Sequence, residues 1–581
     1  MTIESHSARG LADEALDNLV HQFARPLDFL RELVQNSIDA GTPRIEVRVR
    51  YTPAKAGDTE PGVVAIHVDD WGEGMDEAII DSQLTRMFSS TKEDDLTKIG
   101  KFGIGFTSIF AIQPDAVLLR TGRHGENWEL IFHRDRSYDK VRIDTPVDGT
   151  KITLLKHMAA DRVPAFCAEA RWVLSYWCEH SSVPVIFWDN TEAEEAAAPD
   201  MADPFAAFED PVTAVGPGPE AVSRPLSVDT ELFVHHIEDA VEVVCGVTDT
   251  PGYGFYNGGL TLVHTTERAS LEDWARRLGH LTFKVKYDRL EHTLTRDNVL
   301  CDEHWEKAMQ VVARAADLLR ARLIDHIAVV VEQGEDPGPW HARLAEELVA
   351  AGLHGDRPAY SDRVMLVDRR GKALSLAEVE AQEDAQGHVL MACGSGPLAE
   401  HLEASGTRLL PEHPGTRALL METWSSGVLG RNRRMLTPAD QLYLLPRLLM
   451  RADLRSSERA MMVAAEQLVE HRIGRRLKLR VGEFARGARE ALVVNGPEDG
   501  GLFQRPGPTR IRMVAKLQQR CLLVNRQHQT YQAHATAARD NPLLAALGLL
   551  HALLIEEGLE SPSTLAELSN DAARRLTGDH P

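Results

Sequence analysis

Residues 30–40, LRELVQNSIDA, decide the fold of the first part of the chain. At about 100° per residue on a helix, their apolar side chains occupy one half of the helical wheel. Glu32, Asn36 and Asp39 share a narrow arc on the other half, and Gly41 follows as a helix stop. The pattern predicts a helix with a buried back and a front that carries two acids and an amide. Taken alone, such an arc is also what a solvated polar face looks like.

A carboxylate and two glycines follow a predicted strand. Residues 63–68, VVAIHV, are predicted to form this strand, and residues 70–75, DWGEGM, come after it. Glycines at such a point allow the backbone to approach a flat ligand closely. We expect Asp70 to accept a hydrogen bond from the exocyclic amine of adenine.

A glycine-rich run comes next, at residues 99–106, IGKFGIGF. Three glycines ahead of an apolar run indicate a loop that leads into a helix, whose free N–H groups bind phosphate. The run is not a Rossmann loop, because it does not open a first strand–helix unit with an acid about 20 residues on. It is not a Walker A loop, because no Gly-Lys-Ser/Thr follows.

In this order and spacing, the helix, the Asp-x-Gly-x-Gly and the Gly-x-x-Gly-x-Gly resemble the GHKL ATPase superfamily with its Bergerat nucleotide-binding fold. Residues 99–110, IGKFGIGFTSIF, are most similar to the 90-kDa heat-shock chaperone family within it. Residues 149–154, GTKITL, are similar to the family's late Gly-Thr strand beside the adenine site. The resemblance is tight for residues 28–110 and loose beyond residue 160.

The resemblance implies ATP and Mg²⁺ as ligands and a role for each matched position. It makes Glu32 the general base that activates water, Asn36 the Mg²⁺ ligand and Asp70 the adenine acceptor. Lys92 lies in a predicted mobile lid at about 76–99, where it either reaches phosphate or is a solvated lysine. Thr150 is implied to support Asp70 through a water. The other implied nucleotide-binding positions are Asp39, Gly72, Gly74, Met75, Gly100, Gly103, Gly105 and Phe106.

The composition is that of an ordinary soluble globular protein, with 581 residues of which 43% are hydrophobic and 26% charged. No apolar run of about 18 residues predicts a membrane span, and the first residues lack the features of a signal peptide. The six cysteines are scattered without a Cys-x-x-Cys pair, so we expect a reducing, cytoplasmic location. The net charge of −23 opposes binding to nucleic acid.

The chain is predicted to be an α+β multidomain protein. Residues 1–190 form the ATP-binding α/β sandwich, and residues 191–224 form an acidic, Pro/Ala-rich linker that cannot pack a core. An α/β middle domain follows at 225–335 and a small α/β subdomain at 336–436. Residues 437–581 are predicted to be mostly helical and to form a dimerisation domain.

A loop in the predicted middle domain supplies another charged group. Residues 290–299, LEHTLTRDNV, resemble the family's catalytic loop, which implies that Arg296 reaches the γ-phosphate. Arginine suits this role because its charged fork pairs with phosphate in two places. The alternative is an ordinary arginine at a helix start that pairs with Asp297. The family usually has Gln where this chain has Leu300, which leaves a second polar contact from the loop unsupported.

Residues 542–555, PLLAALGLLHALLI, are apolar almost all round, so a helix there needs burial on more than one face. Leu543, Leu547, Leu550 and Leu554 line one stripe of it. Core burial within the domain accounts for such a helix, and so does two-fold packing in the homodimer that the resemblance implies. We expect a homodimer through the C-terminal domain.

The leading interpretation is a slow, conformationally gated ATP hydrolase of the 90-kDa heat-shock type that remodels client proteins. The alternative is a DNA-directed clamp ATPase of the MutL or MORC kind, because residues 31–49 resemble mismatch-repair proteins equally well. A third possibility is a nucleotide-gated interaction module without hydrolysis, which the presence of Glu32 disfavours.

Overall fold

The computed structural model divides the chain into two compact units, residues 1–319 and 320–581. The residues described are 25–54, 61–85, 106–135, 137–191, 218–292, 298–353, 360–384, 387–392, 396–424, 434–473, 478–484, 492–496, 502–504, 521–556 and 562–577. Over these ranges, no helix has the length and the apolar character needed to cross a membrane.

An eight-stranded sheet forms the centre of the first unit. Its strands are β1 (Ile45–Thr52), β2 (Val63–Asp70), β3 (Ala116–Arg123), β4 (Glu126–His133), β5 (Tyr138–Arg142), β6 (Gly149–His157), β7 (Val185–Asn190) and β8 (Glu220–Ala221). Their order in the sheet is β5-β4-β3-β6-β2-β1-β7-β8. β1 runs antiparallel to β2 and parallel to β7, and the connection from β6 to β7 crosses over β2 and β1.

Helices α1 (Phe29–Asp39) and α2 (Val163–Cys178) pack against one face of this sheet and share its core. Buried and less buried residues alternate along the strands, because the helices cover one face of the sheet. In β2, Val64, Ile66 and Val68 are buried, whereas the residues between them are half-buried. This alternation is the period-two pattern of a sheet with one covered face. The N-terminal part is therefore an α+β domain with its core between the sheet and the helices.

A five-stranded sheet follows in the same unit. Its strands are β9 (Phe233–Glu238), β10 (Val241–Val247), β11 (Tyr253–Asn257), β12 (Leu260–Thr265) and β13 (Leu281–Lys286). The order is β12-β11-β13-β10-β9, and β11 and β13 are parallel. Leu260 of β12 is buried in the core of the first sheet, so the two sheets share part of their packing.

Polar contacts also join the two sheets. Lys284 of β13 donates to Oε2 of Glu179 at 3.2 Å and to Nε2 of His180 at 2.8 Å. The hydroxyl of Thr261 donates to the carbonyl oxygen of Tyr176 at 2.7 Å. Burial, followed by the charge of Lys284, lowers the pKa of His180. A neutral imidazole that accepts from an ammonium group is consistent with that direction.

The end of the predicted linker lies in the first sheet. Residues 192–217 are outside the described ranges, but β8 pairs with β7 and places Ala221 opposite Ile186. The N–H of Val222 donates to the carbonyl of Val185 at 2.9 Å, and the Val222 side chain is buried. The expectation that residues 218–224 cannot pack a core was wrong, because a two-residue strand leaves no periodic signal in the sequence.

Helix α3 (Glu303–Gln333) leads from the first unit into the second. The α-helices of five or more residues that follow are α4 (Gly338–Ala351), α5 (Leu376–Glu380), α6 (Pro397–Ala404), α7 (Pro414–Trp424), α8 (Ser456–Ile473), α9 (Gln529–Ala537), α10 (Pro542–Glu556) and α11 (Pro562–Thr577). The strands of the second unit are β14 (Val364–Val367), β15 (Ala373–Ser375), β16 (His388–Met391), β17 (Met435–Pro438), β18 (Tyr443–Leu444), β19 (Arg447–Leu448), β20 (Lys478–Glu483), β21 (Val493–Gly496), β22 (Phe503–Gln504) and β23 (Cys521–Asn525).

Helix α10, which covers the apolar run at 542–555, packs mainly into its own domain. It shares a core with α8 and with strands of the sheet β19-β20-β23-β21. Leu543 and Leu547 pack against that core, and Leu544 is 56% exposed. The residues of α10 buried in the core are Ala545, Ala546, Leu549, Leu550 and Leu553. Core burial accounts for Leu550 of the predicted stripe and in part for Leu543 and Leu547, and the homodimer stays a prediction.

Candidate functional site

Helix α1 supplies one wall of the candidate site. It ends at Gly41, whose φ of +72° is the left-handed conformation that glycine adopts without strain. Glu32 and Asn36 are half-buried and Asp39 is exposed. The apolar residues that the helix buries are those expected from the sequence: Phe29, Leu30, Leu33 and Val34. The predicted division of this helix into an apolar back and a polar front is confirmed.

Asp70 is the last residue of β2 and is 7% exposed. Its Oδ1 accepts hydrogen bonds from the N–H groups of Gly72 at 2.9 Å and Thr150 at 3.1 Å. Its Oδ2 accepts from the hydroxyl of Ser37 at 3.1 Å. Burial raises the pKa of Asp70, and these donors, together with the charge of Lys151, offset that shift only in part. A buried carboxylate held by three donors is a fixed acceptor for a ligand N–H.

Ser37 joins the helix to the strand end, and the sequence reasoning missed it. Its hydroxyl lies 3.0 Å from the carbonyl of Leu33 and 3.1 Å from Asp70 Oδ2. The contact brings the Asn36 side of α1 to the carboxylate of Asp70. A signal for it exists in the sequence: serine inside a helix competes with the backbone for hydrogen bonds, so it is favourable there mainly with a tertiary partner.

Thr121 in β3 is a second residue that the sequence reasoning missed. Its buried hydroxyl oxygen accepts from the N–H of Met75 at 2.9 Å and lies 3.1 Å from the hydroxyl oxygen of Thr150. Thr121 therefore ties the turn after Asp70 to the strand that carries Thr150. The N–H of Thr150 bonds directly to Asp70, and the support through a water that the resemblance implies stays a prediction. No sequence signal distinguishes Thr121, because threonine is ordinary in a strand.

Close packing explains both glycines of the turn after β2. A Cβ on Gly72 would lie 2.7 Å from the carbonyl oxygen of Ala40 at the end of α1. Gly74 has a φ of +65°, and a Cβ there would collide with the carbonyl oxygen of Gly122 in β3. The two glycines thus allow α1, β2 and β3 to meet at the site.

Trp71 lies between two cations. The guanidinium carbon of Arg44 is 3.9 Å from the ring centroid, and Nζ of Lys151 is 3.6 Å from it. Lys151 also donates to the carbonyl oxygen of Asp70 at 2.6 Å, and Thr42 Oγ1 accepts from the N–H of Trp71 at 2.9 Å. Cation–π contacts of this kind are attractive, and they fix the backbone next to the Asp70 carboxylate.

Several predicted site residues lie outside the described ranges: Lys92, Gly100, Gly103, Gly105 and Arg296. Only the start of the predicted lid is described, where Asp76 Oδ1 accepts from the N–H of Ile79 at 3.0 Å and opens a helical turn. Phe106 follows the glycine run and is buried in the core, with its ring 5.3 Å from that of Phe132. A nucleotide contact from Phe106 stays a prediction.

The loop predicted to carry Arg296 is described on both sides of that residue. His292 and Val299 face each other in an isolated antiparallel bridge. Nε2 of His292 accepts a hydrogen bond from the guanidinium of Arg31, the neighbour of Glu32 in α1. One end of the loop therefore contacts the helix that carries the predicted general base.

The residues present fit the Mg²⁺ site that the family implies. Within the described ranges, no group of three or more His, Cys, Asp or Glu side chains could hold a metal ion. Mg²⁺ at a nucleotide needs no such group, because it keeps several waters and takes only one or two protein ligands beside the phosphates. The half-buried Asn36 offers one amide oxygen, one helical turn from Glu32.

Comparison with known proteins assigns a class to this part of the chain. The profile of the histidine kinase-, DNA gyrase B- and HSP90-like ATPases matches residues 27–154. That range holds α1, Asp70, both glycine motifs and the strand of Thr150, so these residues form a GHKL-type ATPase domain. The N-terminal part of the chain is thus an ATPase domain of this superfamily.

Among the members of this superfamily, the chain is similar to the chaperone protein HtpG, which confirms the resemblance to the 90-kDa heat-shock family. HtpG of Pectobacterium atrosepticum is 29% identical over 225 residues, 33% of this chain and 35% of that protein. HtpG of Methylorubrum populi is 29% identical over 229 residues, 34% of this chain and 35% of its own length. HtpG of Anaplasma phagocytophilum is 32% identical over 207 residues, 31% and 32% of the two chains. The matched region spans about a third of the length of these curated relatives.

Proposed function

We propose that this chain is an ATP-dependent, chaperone-like ATPase of the 90-kDa heat-shock type. One observation carries the proposal: Ser37 holds the buried carboxylate of Asp70 beside the helix front formed by Glu32 and Asn36, inside the segment that matches ATPases. The site then combines an adenine acceptor, an oxygen ligand for Mg²⁺ and a carboxylate base. The relatives named chaperone protein HtpG support the chaperone assignment.

Asp70 recognises the adenine base. Its carboxylate is already oriented by Gly72, Thr150 and Ser37, and it accepts the exocyclic amine with the acceptor capacity that remains. Guanine has a carbonyl oxygen at the position of that amine, so it would place two acceptors against each other. The site therefore selects ATP over GTP, since an unpaired buried polar group costs binding free energy.

Glu32 is the general base for hydrolysis. It removes a proton from a water whose oxygen attacks the γ-phosphorus, while the bond to the bridging oxygen breaks and ADP leaves with the electron pair. Glu32 later releases its proton to solvent, and inorganic phosphate leaves. Asn36 would hold Mg²⁺, which neutralises phosphate charge when bound. Asp39 lines the exposed side of the site.

Arg296 and the lid complete the site. Arg296 stabilises the charge of the transferring phosphoryl group, residues 99–106 bind the phosphates, and residues 76–99 with Lys92 close over the nucleotide. The hydrogen bond between Arg31 and His292 supports this role, because it holds an end of the Arg296 loop at α1. Closure of the lid limits the rate, so turnover is slow.

Client proteins are the substrates of the ATP-driven cycle, and a homodimer performs it in the cytoplasm. The name of the relatives, chaperone protein, supports the action on client proteins. The exposed side chain of Leu544 on the largely apolar helix α10 supports the homodimer. Two copies packed about a two-fold axis would cover each other's exposed apolar residues. Light scattering of the full chain tests the assembly, and a monomeric mass at micromolar concentration contradicts it.

The function is tested with the full chain, ATP and Mg²⁺. The wild type hydrolyses ATP and, with ATP present, suppresses aggregation of a chemically unfolded protein. Glu32→Ala binds ATP but loses about 10²–10⁴-fold in turnover, the usual contribution of a general base. Glu267→Ala, at an exposed glutamate shortly after β12, serves as control and keeps full activity. Absence of ATP turnover in the wild type refutes the proposal, and a tight, salt-resistant complex with duplex DNA favours the clamp ATPase instead.

A further inference from the structure

Lys151 of β6 lies behind the proposed adenine site, on the other face of the sheet. Thr150 and Lys151 are successive residues of the strand, so their side chains leave opposite faces. The hydroxyl of Thr150 lies beside that of the buried Thr121, whereas Nζ of Lys151 donates to the main-chain carbonyl oxygen of Asp70 at 2.6 Å. Lys151 therefore reaches the proposed adenine acceptor through its backbone.

The peptide unit between Asp70 and Trp71 is held at both ends. Lys151 binds its carbonyl oxygen, and its N–H, that of Trp71, donates to Oγ1 of Thr42 at 2.9 Å. The next N–H, that of Gly72, donates to Oδ1 of the Asp70 carboxylate at 2.9 Å. A rotation of this peptide unit would move the donor that orients the carboxylate, so Lys151 and Thr42 together fix the direction of the Asp70 side chain.

The ammonium group of Lys151 is itself held in place by Trp71. Its Nζ is 3.6 Å from the centroid of the ring, and the guanidinium carbon of Arg44 is 3.9 Å from the same centroid. The hydroxyl of Thr42 donates to the carbonyl oxygen of Arg44 at 2.6 Å, which ties this second cation to the same backbone. Because an aromatic ring attracts cations, Trp71 keeps Lys151 at the carbonyl of Asp70.

Carboxylates surround the ammonium group as well. The pairing of β2 with β6 places Asp69 opposite Lys151, and Oδ2 of Asp69 also binds Nη1 of Arg48 at 3.0 Å. Burial lowers the pKa of Lys151, and the charge of Arg48 adds to that shift. The charges of Asp69, Asp70 and Asp148 oppose it. Nearby negative charges thus favour the protonated, positively charged form of Lys151.

Lys151 differs in charge from the donors that bind the Asp70 carboxylate. Those donors are the hydroxyl of Ser37 in α1 and two backbone N–H groups, of Gly72 and Thr150, and all three are neutral. Lys151 brings a full positive charge, which lowers the pKa of Asp70 against the effect of burial. Asp69, the preceding residue, brings a negative charge with the opposite effect. The charge of Lys151 therefore favours the ionised carboxylate.

We propose that Lys151 is a positioning residue for adenine recognition: held on Trp71, it fixes the main chain of Asp70 and keeps the Asp70 carboxylate ionised as an acceptor for the exocyclic amine. The inference rests on the proposed function and deepens it. Lys151 acts through Asp70 and contacts no ligand in this role. Its loss therefore weakens nucleotide binding and leaves the chemistry at the phosphate unchanged.

The experiment compares ATP binding by calorimetry and ATP turnover for the full-length wild type, Lys151→Met and Lys151→Arg. Methionine keeps an apolar stem without the charge, so we expect ATP affinity to fall about tenfold, while kcat at saturating ATP stays within about twofold. Arginine keeps the positive charge, the donors and the contact with the ring, so it restores most of the affinity. Lys156→Met is the matched control, because Nζ of Lys156 in the same strand donates to the carbonyl oxygen of Ile112 at 2.6 Å.

The pH dependence of ATP affinity separates this role from a merely structural one. In the wild type, affinity falls in acid as Asp70 becomes protonated. In Lys151→Met the fall begins at a higher pH, because the positive charge that favours the ionised carboxylate is gone. Lys156→Met follows the wild type at every pH. A structural role of Lys151 would instead lower the affinity by the same factor throughout.

A double variant tests whether Lys151 and Trp71 act as a unit. Trp71→Ala alone weakens ATP binding, because it releases Lys151 and Arg44 from the ring. Together with Lys151→Met it loses no more affinity than the worse single variant, since residues that act as a unit are not additive. Trp172→Ala is the control, because Trp172 is an exposed tryptophan of α2 with the guanidinium carbon of Arg25 4.0 Å from its ring centroid.

Each other outcome overturns the inference. It is wrong if Lys151→Met binds ATP like the wild type, if its affinity falls by one factor at every pH, or if Lys151→Arg is as weak as Lys151→Met. A fall in kcat with unchanged affinity, or losses that add in the double variant, also refute it. Absence of ATP binding by the wild type refutes the proposed function, whereas equal binding by the wild type and Lys151→Met refutes this inference alone.

Discussion

Ser37 in α1 donates a 3.1 Å hydrogen bond to Oδ2 of Asp70 at the end of β2. The bond couples the helix of the proposed base and metal ligand to the proposed adenine acceptor. A movement of α1 therefore changes the position of the Asp70 carboxylate, and the reverse also holds.

Removal of this hydroxyl is expected to weaken ATP binding. Ser37→Ala leaves Asp70 with one donor fewer, and a hydrogen bond to a charged group contributes about 1.5–3 kcal/mol, so ATP affinity falls about tenfold or more. Calorimetry of ATP binding measures the loss. Ser405→Ala, at an exposed serine of the second unit whose hydroxyl donates to the carbonyl of Leu402, is the control. Equal affinities of Ser37→Ala and wild type would show that Asp70 does not depend on this donor.

Asp70→Asn is expected to lose ATP binding while remaining folded. The amide oxygen keeps the bonds from Gly72 and Thr150, and the amide N–H group faces the Ser37 hydroxyl, which can accept. In a complex with ATP, the same N–H group would face the exocyclic amine of adenine, so that two hydrogen-bond donors would oppose each other. Because the folded-state pKa of Asp70 is raised above 3.8, its ionised form reduces the stability of the free protein at neutral pH, and asparagine removes that effect.

Calorimetry and thermal unfolding of this variant are measured together. The expected result is undetectable ATP binding with an unfolding temperature equal to or above that of the wild type. In the wild type, ATP affinity decreases as pH falls towards the raised pKa of Asp70, since a protonated carboxyl presents a donor to the amine. Tight binding of ATP to Asp70→Asn means that another residue holds the adenine.

Gly74→Ala is expected to disturb the site through packing. The new Cβ collides with the carbonyl oxygen of Gly122, and the residue keeps a positive φ, which costs about 1–3 kcal/mol. Gly125→Ala is the matched control, because Gly125 has a φ of +80° but nothing within 4 Å of an added Cβ. Both variants lose stability in thermal unfolding, and only Gly74→Ala also loses ATP affinity. Loss of affinity in both would assign the effect to general destabilisation.

Arg296→Ala in the full chain is expected to lower turnover about tenfold or more with little change in ATP affinity, since an arginine of this kind acts on transition-state charge. Steady-state kinetics and calorimetry separate the two effects. Arg289→Ala, an exposed arginine earlier in the same segment, is the control and retains full turnover. A wild-type rate for Arg296→Ala assigns it instead to the pairing with Asp297.

Acid is expected to destabilise the second unit through His341. This buried imidazole donates from Nε2 to the carbonyl of Met365 at 2.8 Å and lies 2.9 Å from the hydroxyl of Thr416. Burial is the main cause that lowers the pKa of His341 from 6.5 to about 4. The unfolded chain therefore binds the proton first, and stability falls as pH decreases from 6.5 to about 4, by on the order of 3 kcal/mol.

Denaturant unfolding at a series of pH values measures this loss. His341→Gln keeps a donor and an acceptor but has no titratable group, so its stability at neutral pH is lower and its decrease towards pH 4 is smaller. If the stability of the wild type and of His341→Gln decreases equally as the pH falls, His341 is not the cause of the loss.

The parts of the site that follow from local pattern were predictable from the sequence. The apolar back of α1, its end at Gly41 and the strand before Asp70 each have a periodic or positional signal over a few residues. Ser37 had such a signal, an interior helical serine, and it was overlooked. Thr121 had none, because its role depends on the pairing of β3 with β6, which places it opposite Thr150.

Contacts between distant segments were not predictable in this way. The hydrogen bond from Arg31 to His292 joins positions 261 apart, and neither residue has a pattern that names the other. The same holds for Val222, whose burial follows from β8 joining the edge of the first sheet. For helix α10, the apolar composition was clear from the sequence. The sequence alone could not show which of its side chains face the core and which face an interface.

The burial of Leu260 in the core of the first sheet has a consequence for synthesis of the protein on the ribosome. Strand β7, which pairs with β1, ends at Asn190, yet the core is complete only when residue 260 has emerged. Those 260 − 190, or about 70, residues take roughly 4–14 s to translate at the usual rate of about 5–20 residues per second. During that interval the nascent chain exposes an unfinished apolar core, so a protein proposed to guard others from aggregation itself depends on protection while it is being made.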